Sequence, residues 1–597
     1  MIRHNVLEVT DPKEMWEEHD GTRAYILHGR QPSPFCKGIE IVDFSGAGIL
    51  GGKYVRNLED AQRVLAGIRS QEALLDIVEA GRGSLALHAF DHTTRDYLIL
   101  NDPLGGGQIY LKASAGRTVI SSDLNSLADV CKFRNEPLRK SLHYFMTQAL
   151  TYTQTHGADT PYLDVALLRR GEGVRVSRSG EVELVSVSPP ERLYFSGMSY
   201  REGMDAFVQD MLENVAKPLD HDFDIKVSHL TAGFDSRLVL AAMLKAGVAD
   251  DFIYYCISSS ADFEISRSLS GHFELRHTSS NDGNPRGRGW QRDYHEYVKN
   301  SPRATQFVLG EGIDFRYSPS NNLVFQGGYG ELARTFNSFK WDGDLSQISS
   351  LAHSLWRWNG FPEESEVASS IWSKDYLDIV IRRLSEDIRR FRELGLPDDY
   401  FTNWFYIEKR NRLFIGARTY YSNHYRSQFD PIYSSHLAWL PATIDFYRRR
   451  SNFVGVDAMI EMSPLLASLP FDNEKIGPLY RQDRQVPDPT EFNGKIPEDV
   501  TLPNTLPETI KWPGKPTAIS QEAAEAARGL RIPEIVAQGI QTMAPIAFDR
   551  LRDEPRFREV LNISNMGNMR NPLDGLTRER AQILHKVLSA LVLADVV

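Results

Sequence analysis

The chain has 597 residues, 41% hydrophobic and 25% charged, which allows two or more domains or one large two-lobed body and excludes wholesale disorder. A net charge of −11 argues against nonspecific nucleic-acid binding, leaving only a local basic patch open. Three widely spaced cysteines, Cys36, Cys131 and Cys256, form no C-x-x-C pair and no disulfide framework, as in a reducing compartment. No apolar run reaches the roughly 20 residues of a membrane helix. Met1-Ile-Arg-His-Asn5 lacks the apolar stretch of a signal peptide. The expectation is a cytoplasmic protein with neither membrane nor nucleic-acid partners.

Residues 1–195 read as β-rich. Short alternating runs recur at Ser84–Phe90, Tyr97–Leu100 and Thr118–Ser122, separated by the turn signals Asp102-Pro103 and Gly105–Gly107. The pattern ends near Val187-Ser-Pro-Pro-Glu191, which reads as a linker. Residues 196–597 read as a second domain. Gly203–Val215 has helical spacing, and strand signals follow at Val227–Leu230, Phe252–Ser258 and Asn322–Phe325, with a helix from Asp262. This alternation predicts an α/β fold with a doubly wound parallel sheet. Ligands in such sheets sit at the carboxyl ends of strands, where Thr231, Ser258 and Gln326 fall. Residues 365–450 read as long helices, 478–518 as a Pro-rich extended segment, and 520–597 as helical again.

Between the first of these strands and its helix lies Thr231-Ala-Gly-Phe-Asp-Ser-Arg237. A helix start offers free N–H groups and a positive dipole end, and so a place for an anion. Thr231 and Ser236 add hydroxyls, and Asp235 is a carboxylate able to hold Mg²⁺ beside a phosphate. No Walker A string is present. Polar strand-to-helix turns are common in α/β proteins, so the position between an apolar strand and a good helix is what singles this one out. It resembles the Ser-Gly-Gly-x-Asp-Ser loop of enzymes that split ATP between its α- and β-phosphates.

Further segments resemble class B asparagine synthetases in the same order. Ser84–Asp91, Leu98-Ile-Leu-Asn-Asp-Pro-Leu-Gly105, Gln108–Leu111 and Val119–Leu127 run parallel to their glutaminase domain. That domain needs a Cys at position 2, where this chain has Ile2, and Cys36 reads as a thiol without a role. The resemblance therefore implies a degenerate Ntn-hydrolase-like glutaminase sandwich without glutamine hydrolysis, followed by a synthetase domain with added helices. It places Thr231, Ala232, Gly233, Phe234, Asp235, Ser236, Arg237, Ser258 and Gly328 on ATP and pyrophosphate. Asp262 is either an acidic site residue or a helix N-cap. In Val324-Phe-Gln-Gly-Gly-Tyr-Gly-Glu-Leu332 the family's metal-binding Asp is missing, and Glu331 becomes its substitute beside Asp235.

β-Lactam synthetases, which resemble this family, use a Tyr with a Glu to deprotonate the attacking amine. By that resemblance Tyr329 and Glu408 form such a pair, although Glu408 also reads as a solvated helix residue. Lys475 is the expected cation for adenylylation, with Lys495 and Lys515 as rivals. No zinc-protease spacing and no G-x-S-x-G elbow occur. The implied activity is an ATP- and Mg²⁺-dependent ligase that adenylylates a carboxylate and joins it to an amine. The implied substrate is a peptide or small molecule, closest in type to lasso peptide cyclases that close a macrolactam. A precursor peptide and its leader-processing proteins are the implied partners. Alternatives are asparagine synthesis from ammonia, a β-lactam-synthetase-like cyclase, or a non-catalytic scaffold.

Overall fold

The computed structural model describes residues 23–26, 32–33, 36–114, 117–133, 138–151, 160–258, 260–280, 321–335, 339–357, 372–423, 426–502, 519–553, 560–561, 573 and 576–593. The readings at Ile2 and Lys515 lie outside these residues.

The first part carries strands β1 (Arg23–Ile26), β2 (Ile39–Leu50), β3 (Lys53–Val55), β4 (Arg82–Asp91), β5 (Tyr97–Asn101), β6 (Tyr110–Ser114), β7 (Arg117–Ser121), β8 (Ala166–Leu167), β9 (Glu172–Val176) and β10 (Val182–Ser186). One sheet has the order β10-β9-β5-β4-β2-β3 and is antiparallel. The other has the order β1-β7-β6-β8, antiparallel except for the β1–β7 pair. Successive side chains of a strand point to opposite faces, and here both faces are apolar. β4 sends Leu85, Leu87 and Ala89 toward helices Leu58–Val64 and Gln71–Glu79, and Ala86 and Phe90 toward Ile109, Ile120 and Leu168 of the second sheet. That sheet's other face, with Tyr110 and Val119, packs on helix Leu124–Phe133. The layers run helix, sheet, sheet, helix. Val187–Glu191 is not an open linker: Val187 N–H donates to Gly171 O at 2.7 Å, and Val187 and Ser188 are buried.

The second part is built on β11 (Ile225–His229), β12 (Ile253–Ile257), β13 (Arg276–Ser280), β14 (Asn322–Phe325), β15 (Ser427–Phe429) and β16 (Glu498–Asp499). Their order is β15-β14-β11-β12-β13-β16, and every pair is parallel. The chain leaves β11 for β12 and β13 on one side and then returns to β14 on the other. The order reverses between β11 and β14, the position at which such sheets open a crevice. Helix Tyr200–Ala216 starts with a complete capping box, Ser199 with Glu202. Helix Phe234–Ala246 is buried nearly all round and ends on Gly247, whose φ of 71° suits glycine.

Helix Lys374–Glu393 buries a stripe of Tyr376, Val380, Leu384, Ile388 and Phe391 at three- and four-residue spacing. The long helices expected over 365–450 stop there. Phe401–Phe405 leads into a π-helix, Tyr406–Gly416, and short pieces follow. Helices Gln521–Leu530, Glu534–Asp553 and Arg578–Leu593 complete the described chain, the last packing on Leu142–Thr151 of the first part. Among the described residues no helix is long and apolar enough to cross a membrane.

Candidate functional site

The loop Thr231–Ser236 leaves the carboxyl end of β11 and folds on itself. Thr231 N–H donates to Ser236 Oγ at 3.0 Å, the two hydroxyls lie 3.1 Å apart, and Gly233 N–H donates to Thr231 Oγ1 at 3.1 Å. The N-cap of the following helix is Gly233, and no side chain caps the first-turn N–H groups. Ala232 and Phe234 are buried, Phe234 stacking on Phe471. Only their backbone is available to a ligand. Ser258 follows β12 at the same end of the sheet.

The loop after β14 crosses directly over Asp235. A Cβ on Gly330 would lie 2.3 Å from Asp235 Cγ, and one on Gly327 would lie 3.0 Å from Ser236 N. Gly327 and Gly330 are therefore a steric requirement of bringing the two loops together, and Gly328 of packing on Asp430. Gly328 N–H donates to buried Asp430 Oδ1 at 3.1 Å. Tyr329 adopts φ of 70°, a left-handed conformation uncommon for a bulky residue.

The two carboxylates expected to hold a metal do come together, and Arg334 joins them. Its guanidinium contacts Asp235 Oδ1 at 2.9 Å and Oδ2 at 3.3 Å, and Glu331 Oε1 at 2.7 Å and Oε2 at 3.2 Å. Asn403 fixes the Arg334 carbonyl at 2.7 Å. Burial raises the Asp235 pKa, against the pull of Arg334. Burial opposes the Arg334 charge, yet Asp235 and Glu331 raise its pKa. Sequence reading missed Arg334, although an Arg three residues after Glu331 on a helical turn is a readable pair.

A cleft of about 230 Å³ opens here, lined by Asp235, the Gly327–Glu331 loop and the π-helix residues Tyr406, Arg410, Phe414 and Ile415. This volume suits the phosphate or carboxylate end of a ligand, being below that of whole drug-sized sites. The i→i+5 turns of a π-helix are wider than α-helical ones, which lets residues four and five apart line one wall.

Three expected roles do not match the placement. Tyr329 is buried, and its hydroxyl lies 3.0 Å from Ser84 Oγ of β4; burial, then Asp102, raises its pKa well above the ordinary range. Glu408 is not its partner. It accepts from Arg170 Nε at 2.5 Å and Tyr194 OH at 3.2 Å. Burial works to raise the Glu408 pKa, but Arg170, Arg390 and Arg412 together outweigh it and the net shift is downward. A base needs a pKa near the working pH, and a carboxylate held ionised by arginine is a poor one.

Arg237 does not face the loop's anion position. It is fully buried, donates to Leu469 O at 2.9 Å and Pro470 O at 2.7 Å, and stacks over Phe471 at 3.7 Å. It fixes the segment that carries Asp472 and Lys475, which pair at 3.3 Å. The positive charge of Lys475 acts on Asp235. Lys495 pairs with Glu274 against helix Phe263–His272. Asp262 precedes that helix without a side-chain cap.

Two carboxylates and a glycine loop fit Mg²⁺, which is typically held by one or two carboxylates plus phosphates and water. The fit has one condition: Arg334 holds both carboxylates and has to yield to the ion. The chain matches no protein-family model and no curated protein.

Proposed function

We propose that the chain is an ATP-dependent carbon–nitrogen ligase that releases AMP and pyrophosphate. The observation that carries this reading is the meeting of two loops over one carboxylate, Asp235, where the order of the parallel sheet reverses. In this reading the Thr231–Ser236 backbone and hydroxyls hold the pyrophosphate part of ATP at a helix N-terminus. Asp235 and Glu331 hold Mg²⁺, which supplies charge against departing pyrophosphate. Lys475, tethered through the segment that Arg237 fixes, adds a second cation on that side. Arg410, in the cleft, offers a contact for the substrate carboxylate.

The substrate carboxylate attacks the α-phosphate, and pyrophosphate leaves. An amine then attacks the activated carbonyl, the carbonyl–phosphate bond breaks, AMP leaves with the amide formed, and the amine's proton passes to water. Holding carboxylate and amine together supplies a large part of the acceleration, up to roughly 7–11 kcal/mol for well-oriented groups. We read both groups as parts of one peptide, closed to a macrolactam in the manner of lasso peptide cyclases. A precursor peptide, its leader-processing proteins and cytoplasmic ATP belong to this reading. The helix, sheet, sheet, helix layering of the first part supports its reading as a glutaminase-like sandwich that shapes the second part.

Arg334 favours a second reading, a scaffold in which the carboxylates have become a salt bridge. Carboxylate-dependent ATP–pyrophosphate exchange decides between them, with a precursor peptide, free aspartate plus ammonium, and small amino acids as substrates. The ligase reading expects exchange with one class and its loss in Asp235→Ala. No exchange with any of them establishes the scaffold.

A further inference from the structure

At the sheet edge of the first part, Cys36, Glu40 and His92 come together. Their Sγ, carboxylate oxygen and ring nitrogen all lie within 4.8 Å of one another. The β2–β4 ladder brings two of them side by side. Glu40 pairs with Phe90, and His92, two residues on, donates its N–H to Gly38 O at 2.9 Å. Residues two apart share a face of the sheet, so Glu40 and His92 are diagonal neighbours. His92 Nε2 lies 2.9 Å from Glu40 Oε2. Ser33 N–H donates to the same oxygen at 2.7 Å and Cys36 N–H donates to Ser33 O at 3.2 Å, which folds the preceding segment over the edge. Glu40 is buried, while Cys36 and His92 are partly open to solvent.

A thiol, an imidazole and a carboxylate form a donor set suited to a borderline divalent ion such as Zn²⁺. A catalytic Cys–His couple is the competing use of the same residues. His92 Nε2 is taken up by Glu40 at 2.9 Å and the Cys36 thiol faces the Lys37 carbonyl at 3.9 Å, so the imidazole is not placed as the base of the thiol. A bound metal displaces the thiol proton and takes the sulfur as a ligand. Bonds of about 2.0 Å to nitrogen and 2.3 Å to sulfur put tetrahedral ligand atoms roughly 3.5 Å apart. The widest separation therefore closes by about 1 Å while the 2.9 Å contact between Glu40 and His92 opens slightly to admit the ion.

We propose that Cys36, Glu40 and His92 form a Zn²⁺-type metal site with its fourth position open to water. It lies in the first part of the chain and is independent of the ligase reading. Binding exchanges the Cys36 proton for the metal and pins Cys36 to the sheet edge.

The test is titration of the chelator-stripped full chain with Zn²⁺ against a chromogenic chelator, and with Co²⁺ followed by absorbance. The expected result is one equivalent bound, with a thiolate-to-cobalt charge-transfer band. Cys36→Ser abolishes the band, and both it and His92→Gln weaken Zn²⁺ by more than about tenfold, a loss seen even for changes beside a metal's ligands. Cys131→Ser and Cys256→Ser leave both readouts unchanged. Metal-free melts of each variant, matching the metal-free wild type, show that folding is intact. Absence of stoichiometric binding by the wild type overturns the site, as does an unchanged affinity and cobalt spectrum in Cys36→Ser.

Discussion

Asp430 lies beneath the loop that crosses Asp235, accepting from Gly328 N–H at 3.1 Å and from the Thr419 hydroxyl. Burial pushes its pKa up from 3.8 to about 6. A carboxyl whose folded pKa exceeds its unfolded one stabilises the fold below the unfolded value and loses that contribution as pH rises through the folded one. Asp430 thus costs stability progressively between about pH 4 and pH 6, by an amount on the order of 3 kcal/mol. Asp430→Asn keeps an acceptor for Gly328 and removes the titration. The variant is expected to gain on the wild type as pH rises, by up to ~3 kcal/mol at pH 8. Urea melts at pH 4 and pH 8 measure this, and a pH-independent difference would refute it. Arg334 invites a second substitution. Its guanidinium binds both Asp235 and Glu331, so a divalent ion competes with it. Arg334→Gln is expected to lower the Mg²⁺ concentration for half-maximal pyrophosphate exchange about tenfold, equal to about 1.4 kcal/mol. An unchanged or raised Mg²⁺ requirement would mean that Arg334 and the ion do not share a place.

The π-helix Tyr406–Gly416 divides its residues between two environments. Tyr406, Arg410 and Phe414 line the cleft, while Glu408 pairs with Arg170 and buried Lys409 pairs with Asp387 at 3.2 Å. Arg410 lies over the Phe414 ring at 5.0 Å and is partly exposed. In the ligase reading it meets the substrate carboxylate, so Arg410→Ala should raise KM for the carboxylate with the melting temperature nearly unchanged. A charged hydrogen bond is worth about 1.5–3 kcal/mol, or roughly 10- to 100-fold in binding. A fall in kcat at constant KM would assign Arg410 to another step. This element also marks the limit of what the sequence discloses. Strands β4, β5, β12 and β14 follow from alternation and apolar runs, and the Thr231–Ser236 loop follows from its polar residues between strand and helix. A π-helix has no pattern of its own, because an apolar stripe at four-residue spacing also fits an α-helix. The partners of Tyr329 and Glu408 were equally hidden. Ser84, Arg170 and Tyr194 lie more than 200 positions away, and no local rule connects such pairs.

The division near residue 195 separates one kind of sheet from another, but the packing runs across it. Ala47, Ile49, Tyr54, Leu104 and Tyr144–Met146 belong to the same apolar core as Phe234, Phe325 and Tyr433. Ala417, Tyr420 and Tyr421 complete the core between the two N-terminal sheets. The polar ties are buried or half-buried. Tyr433 OH donates to Asp102 at 2.6 Å, Tyr110 and Tyr421 hydroxyls lie 3.2 Å apart, and Arg82 binds Asp210 and Glu213. Removing one partner of a buried ion pair costs about 3–5 kcal/mol, because the remaining charge stays out of water. Cutting the chain strands the charges of Glu408 without Arg170 and Asp210 without Arg82, and leaves the buried Tyr433 hydroxyl without Asp102. Those penalties exceed the ~5–15 kcal/mol net stability of a typical domain only when they are taken with the apolar surface uncovered beside them. The expectation is that residues 196–597 expressed alone do not reach a native state, and that the full chain unfolds in a single calorimetric transition. Near-UV circular dichroism of the fragment and scanning calorimetry of the whole protein measure the two halves of this claim. Two separated transitions, or a monomeric fragment with a native near-UV spectrum, would show that the first part is an appendage. A single transition would instead make the first part a support of the loop under the cleft, because Ser84 Oγ lies 3.0 Å from the buried Tyr329 hydroxyl.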